Sequence, residues 1–195
     1  TLANTIAVMN KGELQQLGTP DDIYAQPSNR FVAEFISNPR INMLPLNNAN
    51  NAQPLGNIAR HILAQWPQAQ QAQVCGIRPE EILLTHTANN TESLPMTIES
   101  IMPTGGSWVI ELGCGQERIF HSTQIRPDWQ AKETVHCTLP ATALHFFDAT
   151  GQRLAVPQRD KDDHTLPHGA FSPDNKIDPG VQINPQTPTN QPTQA

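Results

Sequence analysis

The fold of the N-terminal region is indicated by residues 6–44, IAVMNKGELQQLGTPDDIYAQPSNRFVAEFISNPRINML. Residues 6–9 form a short apolar run, and residues 13–17 form a second run that is only half apolar. Lys11 and Gly12 lie between the two runs, and glycine readily adopts the positive φ that a tight turn requires. The pattern therefore predicts a β-hairpin.

Two short helices are predicted after the hairpin. Thr19 is a suitable N-cap for the first helix because its hydroxyl can accept a backbone N–H, and Pro20 fits the first helical position. Ser28 is the predicted N-cap of the second helix, which ends before Pro39. Four apolar residues of that helix share one face at helical spacing. They are Phe31, Val32, Phe35 and Ile36.

The rest of the chain changes character twice. Residues 45–73 are rich in Asn, Gln and Ala, with one apolar patch, residues 58–66, that predicts a short amphipathic helix. Short β-type runs then alternate with glycine-rich turns up to residue 156, which is typical of a small barrel. They cover residues 74–77, 96–101, 108–112, 118–121, 135–139 and 144–147. Residues 157–195 contain seven prolines and few large apolar groups, so we expect a disordered tail.

Composition excludes several classes of function. The chain has 195 residues, a formal net charge of −6 and scattered Lys and Arg residues, so it lacks the basic face that nucleic-acid binding requires. Three widely spaced cysteines do not suggest a disulfide framework. No apolar run approaches the roughly 20 residues of a membrane span, and no signal-peptide pattern is present. The first residue is Thr1 rather than Met, and we therefore expect this sequence to be part of a longer protein.

Residues 6–44 resemble the end of the nucleotide-binding domain in the ATP-binding subunits of ABC importers. The shared landmarks are a strand, a Lys-Gly turn, a helix of the form GTP-x-x-x-Y-x-x-P and an exit segment of the form RFVA-x-FI-x-x-P-x-x-N-x-L. The exit segment is represented here by Phe31, Phe35, Pro39 and Asn42.

Two further landmarks lie downstream. Residues 76–80 match the GIRPE block of the TOBE domain, the oligonucleotide-binding-like (OB-like) barrel of the same subunits. A weaker match, residues 143–154 (ALHFFDATGQRL), resembles the closing strand and turn of that barrel. The GIRPE residues are Gly76, Ile77, Arg78, Pro79 and Glu80.

The resemblance implies a mainly β chain with a defined order of parts. Residues 1–38 would be the end of an ABC ATPase domain, residues 39–46 a hinge, residues 47–156 the OB-like TOBE barrel, and residues 157–195 the tail. Residues 47–73 are atypical because the family has barrel strands there.

The resemblance also implies partners and a place in the cell. The barrel would pair with a second copy of the subunit, hold that dimer together and, in some members, receive inhibitory signals. The subunit would work with permease subunits at the cytoplasmic face of the plasma membrane. The exit segment is most like that of carbohydrate and glycerol-phosphate importers, with iron and polyamine importers as alternatives.

No catalytic, cofactor-binding or metal-binding residue is predicted in this chain. ATP hydrolysis needs a phosphate-binding loop of the form G-x-x-x-x-G-K-[ST], which does not occur here. ATP and Mg²⁺ would therefore be bound elsewhere in the parent subunit. The Cys and His residues at positions 114, 121, 136 and 137 lack the close pairing of zinc ligands.

Other interpretations remain open at this point. Arg78 and Glu80 are either a charged site or, as we favour, a local ion pair next to a turn that Pro79 fixes. The barrel is either a dimerisation and regulatory part of an importer subunit or a free-standing barrel that binds small oxyanions. A third alternative is a non-functional remnant of a broken ATPase gene, in which missing strands between residues 46 and 74 leave a sheet edge unpaired.

Overall fold

The computed structural model describes residues 4–47, 55–88 and 92–155, all of which belong to one compact unit. The tail expected at residues 157–195 lies outside the described residues. Within the described residues, no helix combines the length and apolar character needed to span a bilayer.

The chain begins with the predicted hairpin, formed by β1 (Ile6–Asn10) and β2 (Glu13–Gly18). The strands are joined by Lys11 and Gly12, with φ values of 49° and 86°. Two consecutive positive φ values characterise the type I′ turn, whose twist matches that of the flanking strands. The hairpin forms a two-stranded sheet of its own.

Two six-residue helices follow, α1 (Pro20–Ala25) and α2 (Arg30–Phe35). The predicted cap of α1 is confirmed, because the Thr19 hydroxyl accepts the Asp22 N–H at 3.1 Å. The predicted cap of α2 is wrong: Asn29 rather than Ser28 accepts the Val32 N–H, at 2.9 Å. Ser28 is held by the hairpin instead, where its N–H and hydroxyl donate to Gln16 and Gln15.

A third helix forms where the apolar patch of residues 58–66 predicted one. It is α3 (Asn57–Gln65), and it buries Ile58, Ala59 and Ile62. Its N-cap is Gly56, which has no side chain to accept a helix N–H. Glu117 replaces the missing cap, since its carboxylate accepts the Ile58 N–H at 2.8 Å and places negative charge at the positive end of the helix.

The other described strands form two sheets, which we call the barrel. A four-stranded sheet has the order β11-β10-β4-β3, and a five-stranded sheet has the order β5-β9-β6-β7-β8, with all pairs antiparallel. The strands are β3 (Asn42–Pro45), β4 (Val74–Ile77), β5 (Leu83–Thr85), β6 (Leu94–Pro103), β7 (Trp108–Cys114), β8 (Glu117–Thr123), β9 (Thr134–Thr138), β10 (His145–Phe147) and β11 (Arg153–Leu154).

All six β-type runs predicted from the sequence lie within or overlap these strands, so the mainly β fold class is confirmed. The strands β3, β5 and β11 were not predicted. They have two to four residues each, too few to show a period-2 pattern. The segment predicted as a hinge, residues 39–46, contains β3, which pairs with β4.

One hydrophobic core joins α3 to both sheets. It includes Ile58 and Ile62 from the helix, Ile77 from the four-stranded sheet, and Ile98 and Ile110 from the five-stranded sheet, all without exposed surface. Burial of a large apolar side chain contributes about 1.5–3 kcal/mol. The helix and the two sheets therefore stabilise one another.

The Asn42 side chain connects the edges of the two sheets. It lies on β3, donates from Nδ2 to the Phe120 carbonyl at 2.9 Å and accepts the Phe120 N–H on Oδ1 at 2.7 Å. Its Nδ2 also lies 3.2 Å from the Ile77 carbonyl. An amide side chain thus supplies the donor and acceptor that a neighbouring strand would offer to β8.

Replacing Asn42 tests this connection. We expect Asn42→Ala to lower the free energy of unfolding by about 1–3 kcal/mol, because it leaves both backbone groups of Phe120 without their partner. Urea denaturation measures the change. Asn47→Ala, at an exposed position two residues after β3, is the matched control and should change stability little. Equal effects of the two substitutions would contradict the proposed role of Asn42.

Candidate functional site

The GIRPE block contains Arg78, a buried side chain that contacts groups far away in the sequence. Gly76 and Ile77 form the end of β4, and Pro79 begins a 3₁₀ turn at residues 79–81. A Cβ atom on Gly76 would lie 3.1 Å from Ile41 and 3.2 Å from Phe147, so the close packing here favours glycine. Arg78 follows directly, and its side chain has no exposed surface.

The Arg78 guanidinium connects three distant parts of the chain. Nη2 donates to the Tyr24 carbonyl at 2.6 Å, and Nη1 lies 3.0 Å from His145 Nε2. The guanidinium also covers the Tyr24 ring, with 3.7 Å from Cζ to the ring centroid. A cation over an aromatic face is stabilised by the ring quadrupole, most strongly when water is excluded.

Glu80 completes this group, because the Tyr24 hydroxyl donates to its carboxylate. We call Tyr24, Arg78, Glu80 and His145 the Arg78 cluster. Burial, followed by the hydrogen bond to Glu80, raises the pKa of the Tyr24 hydroxyl above its usual value. The hydroxyl therefore remains protonated and acts as a donor at neutral pH.

His145 is neutral within this cluster. Arg78 can only donate hydrogen bonds, so His145 Nε2 must be the acceptor and the ring proton lies on Nδ1. Burial, then the charges of Arg78 and Arg153, lower the pKa of His145 to about 4. A protonated ring would place a second cation next to the buried guanidinium.

The structure corrects one prediction about this block. We expected Arg78 to pair locally, but its two hydrogen-bond partners lie 54 and 67 positions away in the sequence. Tyr24 and His145, which complete the cluster, were not recognised from the sequence as partners of Arg78. The only signal for Tyr24 was its place in the helix motif, because a contact across 54 residues leaves no local pattern.

A second attachment lies next to the Arg78 cluster. The Arg30 N–H donates to the Gly151 carbonyl at 2.8 Å, and the Arg153 N–H donates to the Ser28 carbonyl at 3.1 Å. Asn29 and Gln152 form the β-bridge between these two bonds. The start of α2 therefore pairs with the turn that precedes β11.

The other predicted residues lie near these attachments but not at one common site. Pro39 follows a cis peptide bond, and Asn42 joins the two sheets. Phe31 is half-buried and stacks on Phe35, with ring centroids 5.7 Å apart, whereas Phe35 is 66% exposed. Of these residues, Arg78 and Glu80 contact the N-terminal segment, residues 4–38, through Tyr24. Phe31 packs within that segment, and Asn42 lies between the two sheets.

This arrangement is typical of a structural contact between two parts of a chain rather than of a ligand-binding site. Arg78 is closed to solvent, and its described hydrogen bonds are made to neutral acceptors of the chain itself. Among the described residues, no group of three or more His, Cys, Asp and Glu side chains is placed to hold a metal ion.

One domain family and several curated proteins match this chain. Residues 75–147, from β4 to the end of β10, match the TOBE domain family. The chain is similar to sn-glycerol-3-phosphate import ATP-binding proteins. It is 31% identical to that of Rhizobium johnstonii over 156 residues, or 78% of this chain and 42% of the relative. It is 32% identical to that of Vibrio cholerae over 165 residues, or 82% of this chain and 43% of the relative.

The chain belongs to the ABC importer ATP-binding subunits. It corresponds to their C-terminal portion. It spans less than half the length of the curated relatives that it matches. The family resemblance stated from the sequence and the OB-like TOBE fold are both confirmed. In this portion, the Arg78 cluster connects the segment before the TOBE match to the TOBE domain itself.

Titration of His145 makes the cluster sensitive to acid. The unfolded chain protonates this ring near pH 6.5 and the folded chain near pH 4, so between these values the unfolded state binds more protons. Stability should therefore fall as the pH is lowered through this window, by about 3 kcal/mol if His145 acts alone.

We expect His145→Gln to be less stable at pH 7 but to lose less stability between pH 6.5 and pH 4. Urea denaturation across that range measures both effects. The buried His121, whose pKa is also lowered by burial, remains in both proteins, so the difference between them isolates His145. Parallel pH profiles would show that His145 does not titrate as inferred.

Proposed function

We propose that this chain acts as the C-terminal regulatory and dimerisation part of an importer ATP-binding subunit. The parent subunit would couple ATP hydrolysis to uptake of a glycerol phosphate, as in the names of the relatives, or of a carbohydrate, as the exit segment suggests. In this proposal ATP and Mg²⁺ are bound by other parts of the subunit. The residues described here contribute structure rather than catalysis.

The observation that carries the proposal is the exposed apolar surface of the N-terminal segment. Leu14 and Leu17 of the hairpin are 56% and 62% exposed, and Phe35 of α2 is 66% exposed. A two-stranded hairpin is only marginally stable alone, and exposed apolar side chains indicate a contact surface where they form a contiguous patch. We infer that the remainder of an ATPase domain covers them.

The proposal also assigns partners to the barrel. A second copy of the subunit would pair with it, and permease subunits would hold the complex at the cytoplasmic face of the plasma membrane. Two exposed apolar side chains of the barrel support a protein contact, Leu83 on the edge strand β5 and Ile125 after β8, which are 54% and 79% exposed.

A chimaeric subunit tests the role in transport. The chain would replace the matching C-terminal part of the Vibrio cholerae relative, and the chimaera would be produced with the permease subunits of that importer. We expect uptake of sn-glycerol-3-phosphate and ATPase activity within about tenfold of the parent, since the catalytic domain is intact and the replacement belongs to the same family.

The relative truncated before the matching part is the control, and it should show weaker assembly and uptake. A chimaera that folds and binds ATP but transports no better than the truncated control would contradict the proposal.

Sedimentation velocity tests the dimer separately. We expect the 195-residue chain to sediment as a dimer at tens of micromolar and Leu83→Lys to shift it towards monomer, because a charge would have to be desolvated at the interface. Leu14→Lys, at an equally exposed hairpin position, is the matched control and should leave the dimer intact. A monomeric wild-type chain would contradict the dimerisation role.

A further inference from the structure

The N-terminal segment is attached to the barrel at two separate places. The first is the Arg78 cluster, where Tyr24 of α1 offers its carbonyl, ring and hydroxyl to Arg78 and Glu80. The second is the backbone pairing of residues 28–30 with residues 151–153. Two attachments on different elements restrict rotation of α1 and α2 relative to the barrel, whereas a single attachment would act as a pivot.

A small apolar cluster lies between the two attachments. Ala33 of α2 and Ile41 before β3 pack against Phe147 of β10, and all three are buried. Residues 36–41 connect α2 to β3, and this connection is therefore packed at both ends. Ile41 lies within residues 39–46, the segment that the sequence predicts to be the hinge into the barrel.

The hairpin is linked to the same attachments by side-chain hydrogen bonds. Gln16 donates to the Gln26 carbonyl at 2.9 Å and accepts the Ser28 N–H at 2.7 Å. Gln15 accepts from the Asn29 side chain at 2.9 Å. Val8 of the hairpin also packs with Ile23 and Val32 of the two helices. A continuous set of contacts thus extends from β1 to β11.

We propose that these contacts couple the hairpin, α1 and α2 mechanically to the barrel, so that the N-terminal segment and the barrel move together. Arg78 is a positioning residue in this coupling, because it holds Tyr24 against the barrel. The consequence of this coupling for transport rests on the proposed function. A partner bound to the barrel would change the affinity of the ATPase domain for ATP, and ATP would change the affinity for the partner by the same factor.

Hydrogen–deuterium exchange of the 195-residue chain tests the coupling without ATP or permease, so its outcome is separate from that of the transport experiment. We expect backbone amides of residues 6–36 to be protected in the wild-type chain. Arg78→Lys should raise their exchange about tenfold or more, because a lysine cannot make both hydrogen bonds and cover the Tyr24 ring. Exchange of residues 94–123 in the barrel should change much less.

Two further variants complete the test. Tyr24→Leu removes the ring under the guanidinium and the hydroxyl that donates to Glu80, but keeps the Tyr24 carbonyl. It does not enter the barrel core, and it should reproduce the selective loss of protection to a smaller extent. Arg118→Lys is the matched control, since Arg118 pairs with Glu99 on the exposed side of the barrel and should affect neither region. The proposal is overturned if wild-type residues 6–36 are unprotected, if Tyr24→Leu leaves them protected, or if it raises exchange equally in the barrel.

Discussion

The buried guanidinium of Arg78 is the constraint on which the arrangement of this chain depends. A charge without access to water is costly unless polar groups surround it. Here the Tyr24 carbonyl, the Tyr24 ring and His145 provide these groups, and they come from α1 and β10. Two of the three groups belong to the N-terminal segment, so the burial of Arg78 favours the placement of that segment against the barrel.

Local signals in the sequence predicted the elements but not their contacts. The Lys11-Gly12 turn, the Thr19 cap and the apolar face of α3 each depend on residues within one or two turns, and each prediction was confirmed. The cap of α2 was predicted one residue too early, because the hairpin holds Ser28 and leaves Asn29 to cap the helix. The partners of Arg78 could not be predicted, since they depend on how distant elements pack.

The atypical region before residue 74 has a structural explanation within the described residues. The concern raised by the sequence was an unpaired sheet edge. The two sheets instead approach each other at β3 and β8, and the amide of Asn42 satisfies the Phe120 backbone there. The helix α3 adds its apolar face to the shared core. At this place a side chain and a helix thus provide contacts that additional strands would otherwise supply.

The exposed leucines of the hairpin have a consequence for the life of the protein in the cell. If the remainder of an ATPase domain covers Leu14, Leu17 and Phe35, any copy without that cover exposes these apolar side chains and the edges of a two-stranded sheet. Such surfaces are bound by chaperones and favour degradation. A copy in which that domain failed to fold would then be removed even if the barrel itself were stable.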